Sequence, residues 1–160
     1  MFVDYKKGDE DMDLMQKHEK LMKFNSVKLN VVLDAMRTED NDTAVQTSKE
    51  IAYSIYDIDR PFWKDAVPTL ISAVILAQCE DIISTGKGKI SFKSIAETYE
   101  DKFNYEDKKV YVDKLDDYFV SRQECSLSKQ IYDFILNVKD EKKDRIFKEA
   151  IITIKSIKHY

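Results

Sequence analysis

Apolar residues recur at helical spacing along most of the chain, so the sequence predicts a protein built from α-helices. The clearest repeat lies in the last third, where two apolar sets are separated by the charged stretch 139–144. The first set is Leu127, Ile131, Phe134, Ile135 and Val138, and the second is Ile146, Phe147, Ala150, Ile151, Ile154 and Ile157. Two amphipathic helices joined by a charged turn predict an αα-hairpin.

The stretch 59–81 has a different pattern, because from 66 to 79 it is apolar on nearly every side. A helix that is apolar all round is buried all round, so other helices must pack on more than one of its faces. The run is shorter than the roughly 20 apolar residues that a bilayer span needs. We therefore predict that residues 60–84 form the central helix of a bundle.

Local signals set the limits of this central helix. Asp59 is a candidate N-cap and Pro61 suits the first turn, where a missing N–H costs nothing. Gly86 and Gly88 follow the predicted end. Pro68 removes a backbone donor and is expected either to kink the helix or to mark its true start.

Further helices are predicted on both sides of the central one. Caps and apolar spacing place them at 26–37, 42–56, 91–99 and 106–119, with turns or breaks between them. Residues 1–5 suggest a short strand, and 14–24 a short helix with Leu21 and Phe24 among its apolar positions. The apolar residues of 26–37, Val27 and Val31 among them, allow burial of that helix. We treat 1–25 as a lead-in segment left from a domain boundary and 26–160 as the all-α domain, a compact bundle of about seven helices.

The composition is typical of a helical protein, and the net charge disfavours one class of function, nucleic-acid binding over a broad surface. Charged residues make up 35% of the chain and hydrophobic residues 43%, with only 3 Gly and 2 Pro. The net charge of −4 disfavours a broad nucleic-acid-binding surface. Cys79 and Cys125 are not at metal-binding spacing, and we expect reduced thiols in a cytoplasmic protein.

No stretch carries a catalytic or cofactor-binding motif. The loop 85–91 lacks the spacing of a phosphate-binding loop, and the acidic run 9–13 lacks the glycine and the final glutamate of a calcium loop. His18 and His159 have no cysteine or acid at ligand spacing, so no zinc site is predicted. We expect a non-enzymatic chain without metal or cofactor.

Two groups of residues have alternative interpretations at this point. Phe62 and Trp63 either anchor the first turn of the central helix in the core or form an exposed aromatic pair for a partner. Basic residues near the last turn either form a solvated face or contact DNA, and acidic neighbours dilute them. The candidates for DNA contact are Lys139, Lys142, Lys143 and Arg145.

The central stretch resembles the helix that opens with D-P-F-W in TraG-like coupling proteins, the ATPases of conjugation and type IV secretion. That family pattern continues with one or two alanines and a leucine- and alanine-rich helix. It maps here onto Asp59, Pro61, Phe62, Trp63, Ala66 and Leu70, with Arg60 inserted. The flanking helices and the segment 146–155 are similar to the family as well, whereas 103–124 is hardly matched.

The resemblance implies the all-α domain of a coupling protein, on the cytoplasmic side of a membrane-anchored hexamer. Such a domain receives substrates: a relaxase–DNA complex, a relaxosome accessory protein or a secreted protein. Walker motifs and membrane helices are absent from the sequence, so ATP and Mg²⁺ belong only to the implied motor domain. We expect the isolated domain to be a monomer that contacts no membrane.

Surface loops and charge clusters are the usual places for partner contacts. On that basis we predict a binding face formed by the basic loop after the central helix and the acidic helix that follows. Its residues are Lys87, Lys89, Glu106, Asp113, Asp116 and Asp117. Two alternatives stay open: a stand-alone helical adaptor and a weak DNA-binding module.

Overall fold

The computed structural model describes residues 2–56, 63–102 and 108–160, and within them the side chains of 12–56, 63–100 and 112–160. Those residues form seven α-helices and no strand. The helices are α1 (Phe2–Arg37), α2 (Asn41–Ile55), α3 (Trp63–Thr85), α4 (Phe92–Lys102), α5 (Lys108–Val120), α6 (Leu127–Leu136) and α7 (Asp140–Ser156). The predicted all-α class is confirmed.

Helix α3 is the centre of the bundle, as its all-round apolar pattern predicts. Helices α1, α2, α4, α6 and α7 all pack against it. From Ala66 to Cys79 only Thr69 is not buried. Helix α3 is the one described helix long and apolar enough to cross a membrane, and most of its surface is covered by the other helices.

Small residues allow α2 and α3 to approach each other closely. Ala44, Ser48 and Ala52 are buried on α2, and Ser48 meets the buried Ser72 of α3. Their hydroxyl oxygens lie 2.7 Å apart, and the Ser48 hydroxyl also lies 2.8 Å from the carbonyl of Val45. The two buried hydroxyl groups therefore satisfy one another, as buried polar groups in native proteins generally do.

Capping residues account for several helix limits. The Asp40 carboxylate accepts from the backbone N–H of Thr43, and the Ser126 hydroxyl accepts from that of Lys129. Ser91 and Ser94 cap the start of α4 reciprocally, since each hydroxyl accepts from the other residue's backbone N–H. Helix α3 is followed by Gly86 at φ +67°, the left-handed conformation that glycine adopts readily.

Helix α1 is continuous over 36 residues, so the predicted strand at 1–5 and helix start at 25–26 were wrong. Asn25 and Ser26 have cap-type side chains, but both use them in tertiary contacts. The Asn25 amide donates to the Ser54 hydroxyl of α2, at 2.8 Å. The Ser26 hydroxyl lies 3.0 Å from two carbonyl oxygens, those of Met22 and Tyr160.

The predicted αα-hairpin is also wrong. Helices α6 and α7 are consecutive, but α6 packs chiefly on α3 and next on α5, and α7 packs chiefly on α3 and next on α4 and α5, rather than on each other. The charged stretch expected to form the turn instead lies mostly within α7, which begins at Asp140. Because α3 is apolar all round, it offers each of the two helices a larger apolar surface than they offer one another.

Candidate interaction surfaces

An exposed apolar stripe runs along the outer face of α1. It consists of Leu21, Phe24, Val27 and Val31, which repeat at three- and four-residue steps and so share one face of the helix. Phe24 is 56% exposed and Val27 is 62% exposed. The inner face, with Met22 and Leu29, is buried against the bundle. We call these four residues the α1 stripe.

Lysines flank the α1 stripe. Lys20 and Lys23 are exposed and make no ion pair with any described residue. The Lys28 ammonium lies 4.6 Å from the centre of the Phe24 ring and 3.3 Å from a carboxylate oxygen of Glu50 on α2. The stripe therefore combines apolar side chains with positive charge, a surface suited to a partner that presents apolar and acidic residues together.

The residues of the predicted partner-binding face do not act as one group. Lys87 and Lys89 are exposed in the loop after α3, and Asp113 and Asp117 are exposed on α5. No hydrogen bond or ion pair among the described side chains connects that loop with α5. Glu106 lies outside the described residues.

Asp116 was predicted as a partner contact and Lys143 as a DNA contact, but the structure pairs them with each other. The Lys143 ammonium, 4% exposed, lies 3.0 Å from one Asp116 carboxylate oxygen and 3.3 Å from the other. The Tyr132 hydroxyl donates to the same carboxylate. This internal cluster connects α5, α6 and α7, so placing Lys143 on an exposed DNA-binding face was wrong.

The other candidates for DNA contact retain little free positive charge as a group. Lys139 and Lys142 are exposed, but Asp140 and Glu141 lie beside them in the first turn of α7. The Arg145 guanidinium lies 5.1 Å from the centre of the Trp63 ring and 4.0 Å from the Glu149 carboxylate. Affinity for DNA comes from Lys and Arg side chains whose charge no nearby acidic residue neutralises. This end of α7 has few of them.

The residues that carry the family resemblance lie at the start of α3. Ala66 and Leu70 are fully buried, and Trp63 is partly buried against the core beneath the Arg145 guanidinium. This arrangement agrees with the core-anchor interpretation of Trp63. Asp59, Pro61 and Phe62 lie outside the described residues. Helix α3 continues through Pro68 without a break in the helix.

A polar cleft of about 360 Å³ lies where α3 ends beside the α5–α6 connection. The Arg122 guanidinium forms two hydrogen bonds with the Asp81 carboxylate, at 2.9 and 3.2 Å. The Tyr118 hydroxyl donates to the same carboxylate at 3.1 Å, and burial raises the pKa of that hydroxyl. A Glu80 carboxylate oxygen accepts from the backbone N–H of Ser128 at the start of α6.

These contacts make the cleft a connection between helices more than a reactive site. Its strongest cation, Arg122, is neutralised by Asp81, and Glu80 occupies the helix N-terminus that an anion would otherwise use. Cys125 lines the cleft and is exposed. Within the described part of the chain no group of three or more His, Cys, Asp or Glu side chains is arranged to hold a metal ion.

Sequence reasoning missed the α1 stripe. Leu21 and Phe24 were expected on the apolar side of a short helix, and Val27 and Val31 on the buried side of the next. If the segment is treated as one continuous helix, the sequence reveals the stripe. Positions 21, 24, 27 and 31 then lie on one face, and positions 22, 25, 29 and 32 lie on another. The assumed start at 25–26 hid this division.

Comparison of the chain with protein-family models, with curated proteins and with solved structures finds no match.

Proposed function

We propose that this chain is a protein-recognition domain, and specifically the substrate-receiving all-α domain of a conjugative coupling protein. The recognition part of the proposal depends on the α1 stripe, with Phe24 and Val27 more than half exposed beside free lysines. Exposed apolar side chains rimmed by polar ones are typical of surfaces that bind other proteins. The assignment to conjugation is supported by the resemblance around Trp63, Ala66 and Leu70.

The partner class follows from the charge around the stripe. Lys20 and Lys23 are available to pair with carboxylates, while the stripe itself supplies apolar area. We infer that the preferred occupant is an acidic amphipathic segment of a relaxase, of a relaxosome accessory protein or of a secreted protein. Charges of this kind chiefly set the association rate and the choice of partner, and the apolar contacts supply affinity.

Recognition of protein is favoured over direct recognition of DNA by the fate of the basic residues on α7. Lys143 is buried in an ion pair, and Arg145 covers Trp63. A DNA-binding surface needs several phosphate contacts from unpaired Lys or Arg, and its affinity falls steeply with salt. The parent protein would supply ATP hydrolysis from a separate motor domain, on the cytoplasmic side of a membrane.

The test is affinity capture with the tagged chain from cells that carry a conjugative element. A relaxase or accessory protein should be recovered with the wild-type chain, and recovery should survive nuclease treatment. The Phe24→Glu, Val27→Glu variant should lose it, because two charges would interrupt the stripe. Phe134→Glu is the matched control, since Phe134 on α6 is exposed to a similar extent.

Three outcomes would contradict the proposal. Recovery that vanishes with nuclease would point to DNA as the bridging partner. Equal loss in the Phe134→Glu control would mean that the stripe is not the contact surface. If no protein of the transfer machinery is recovered, the assignment to conjugation fails, and a stand-alone helical adaptor becomes the better interpretation.

A further inference from the structure

The first turns of α1 in which side chains are described extend away from the body of the bundle. Residues 12–20 are all exposed. Among the described side chains of α1, the His18 ring, 5.6 Å from the ring of Tyr160, makes the first aromatic contact with the body, and Met22 is the first buried residue. We call residues 12–17 the α1 tip. Its apolar side chains Leu14 and Met15 are each 64% exposed.

The tip continues the apolar seam by which α1 packs on the body. Met15, Met22, Leu29 and Met36 are spaced by seven residues, which keeps them on nearly the same side of a helix. Met22 and Leu29 are buried and Met36 is partly buried, so only Met15 lacks cover. A helical stretch without packing is marginally stable in water, and a second helix laid against this seam would stabilise it.

Charge along α1 indicates what that second helix is. Positions 9–13 of the sequence contain four acidic residues and no basic one, whereas 17–23 contain three lysines and one glutamate. In an antiparallel pair of α1 helices, the acidic stretch of each copy lies beside the basic stretch of the other. A parallel pair would place acidic residues beside acidic residues, which is unfavourable.

We propose that two copies of this chain associate through their α1 tips, with the two helices antiparallel about a two-fold axis. Such an interface is self-complementary, because the same patch serves on both copies. Leu14 and Met15 form its apolar centre, and the opposite charges lie at both ends. The monomer expected from the family resemblance is replaced here by a dimer, because α1 is one continuous helix that carries an uncovered apolar seam.

The first measurement is sedimentation equilibrium over a range of protein concentrations. The wild-type chain should shift from monomer to dimer, and Leu14→Glu, Met15→Glu should raise the dissociation constant by about tenfold or more. Phe134→Glu, the matched control on α6, should associate like the wild type. Since the charge pairs are exposed, association should also weaken at high salt.

A charge exchange then tests the pairing of the acidic stretch of one copy with the basic stretch of the other. The Lys17→Glu, Lys20→Glu variant should lose self-association. So should the variant Asp9→Lys, Glu10→Lys, Asp11→Lys, Asp13→Lys. Mixing the two variants should restore a heterodimer, because each then supplies the charges that the other needs. Dimers formed equally well by the separate variants, or absent from the mixture, would overturn the antiparallel arrangement.

Two results would overturn the proposal as a whole. One is a wild-type chain that stays monomeric at every concentration, and the other is a dimer that Leu14→Glu, Met15→Glu leaves intact. The inference does not depend on the proposed function, since Phe24→Glu, Val27→Glu should leave self-association unchanged. Loss of partner capture and loss of the dimer are thus separate results.

Discussion

At the scale of single residues, a few charged side chains belong to the fold and not to the surface, and Lys143 and Asp116 are the clearest case. Lys143 and Asp116 look like surface residues in the sequence, since both belong to charged stretches. In the structure Lys143 is among the most buried polar residues, and Asp116 accepts hydrogen bonds from it and from Tyr132. Local composition did not reveal this pair, because its members are 27 positions apart.

Replacing Lys143 should therefore reduce stability. In Lys143→Met the Asp116 carboxylate, 22% exposed, loses its cation and keeps the Tyr132 hydroxyl as partner. Breaking a fully buried pair costs roughly 3–5 kcal/mol, and the partial exposure of Asp116 lowers our expectation to about 2–3 kcal/mol. Urea unfolding followed by circular dichroism measures the change.

Lys139→Met is the control for that variant, since Lys139 is an exposed lysine just before α7. It should change the free energy of unfolding by about 0.5 kcal/mol or less. Adding Asp116→Leu to Lys143→Met should restore part of the loss, because no unpaired buried charge remains. Equal effects of Lys143→Met and Lys139→Met would contradict the role given to the pair.

The two cysteines should differ sharply in reactivity. Burial on α3 raises the pKa of the Cys79 thiol to about 12, so the reactive thiolate is almost absent at pH 8. Cys125 is exposed beside the cleft. A thiol reagent should modify one cysteine per native chain, identified as Cys125 by peptide mapping, and both in denaturant. Rapid modification of Cys79 in the native chain would contradict this expectation.

At the level of helices, periodicity predicted most of the fold. The apolar spacing that predicts a helix at 91–99 places Phe92, Ile95, Ala96 and Tyr99 on its inner side, and all four are buried. The predictions were wrong where polar side chains set the limits of a helix, or where the choice of packing partner set the arrangement of two helices. Asn25 and Ser26 are good helix caps, yet here their side chains bond to Ser54 and Tyr160, which are distant in the sequence. Sequence spacing carries no information about such distant partners.

The interaction surfaces were less predictable than the helices for the same reason. Periodicity identifies which residues share a face, but the packing of other helices decides which face is covered. Val27 was expected to be buried and is 62% exposed, since α2 and α3 cover only the opposite side of α1. Once α1 is known to be continuous, its sequence indicates both the stripe and the uncovered Met15.

The end of α3 offers a test of one helix limit. Gly86 has φ +67°, and a Cβ atom there would meet nothing within 4 Å. Gly86→Ala therefore suffers only the backbone cost of the left-handed conformation, about 1 kcal/mol. Gly86→Asn should lose less, because asparagine tolerates that conformation better. Thermal unfolding of both variants measures the difference, and equal stability of all three chains would contradict the expectation.

At the scale of the whole molecule, α1 has two parts with different roles. From His18 onward it belongs to the body, through the His18–Tyr160 ring contact, the buried Met22 and the Asn25–Ser54 hydrogen bond. Before His18, the described side chains are exposed. The stability of the body and the exposure of the tip to a second copy are therefore separate properties, although both depend on the same uninterrupted helix.

Truncation should separate these two properties. A chain that lacks residues 1–17 keeps every body contact of α1 named above, so at dilute concentration its midpoint of urea unfolding should match that of the full chain. Removing 1–25 also deletes the buried Met22 and the Asn25 amide, and should cost about 2–4 kcal/mol. Dilution matters, because dimer formation would stabilise only the full chain. If removing 1–17 alone lowers stability as much as removing 1–25, the tip belongs to the folded body, and its exposed Leu14 and Met15 are not a free surface.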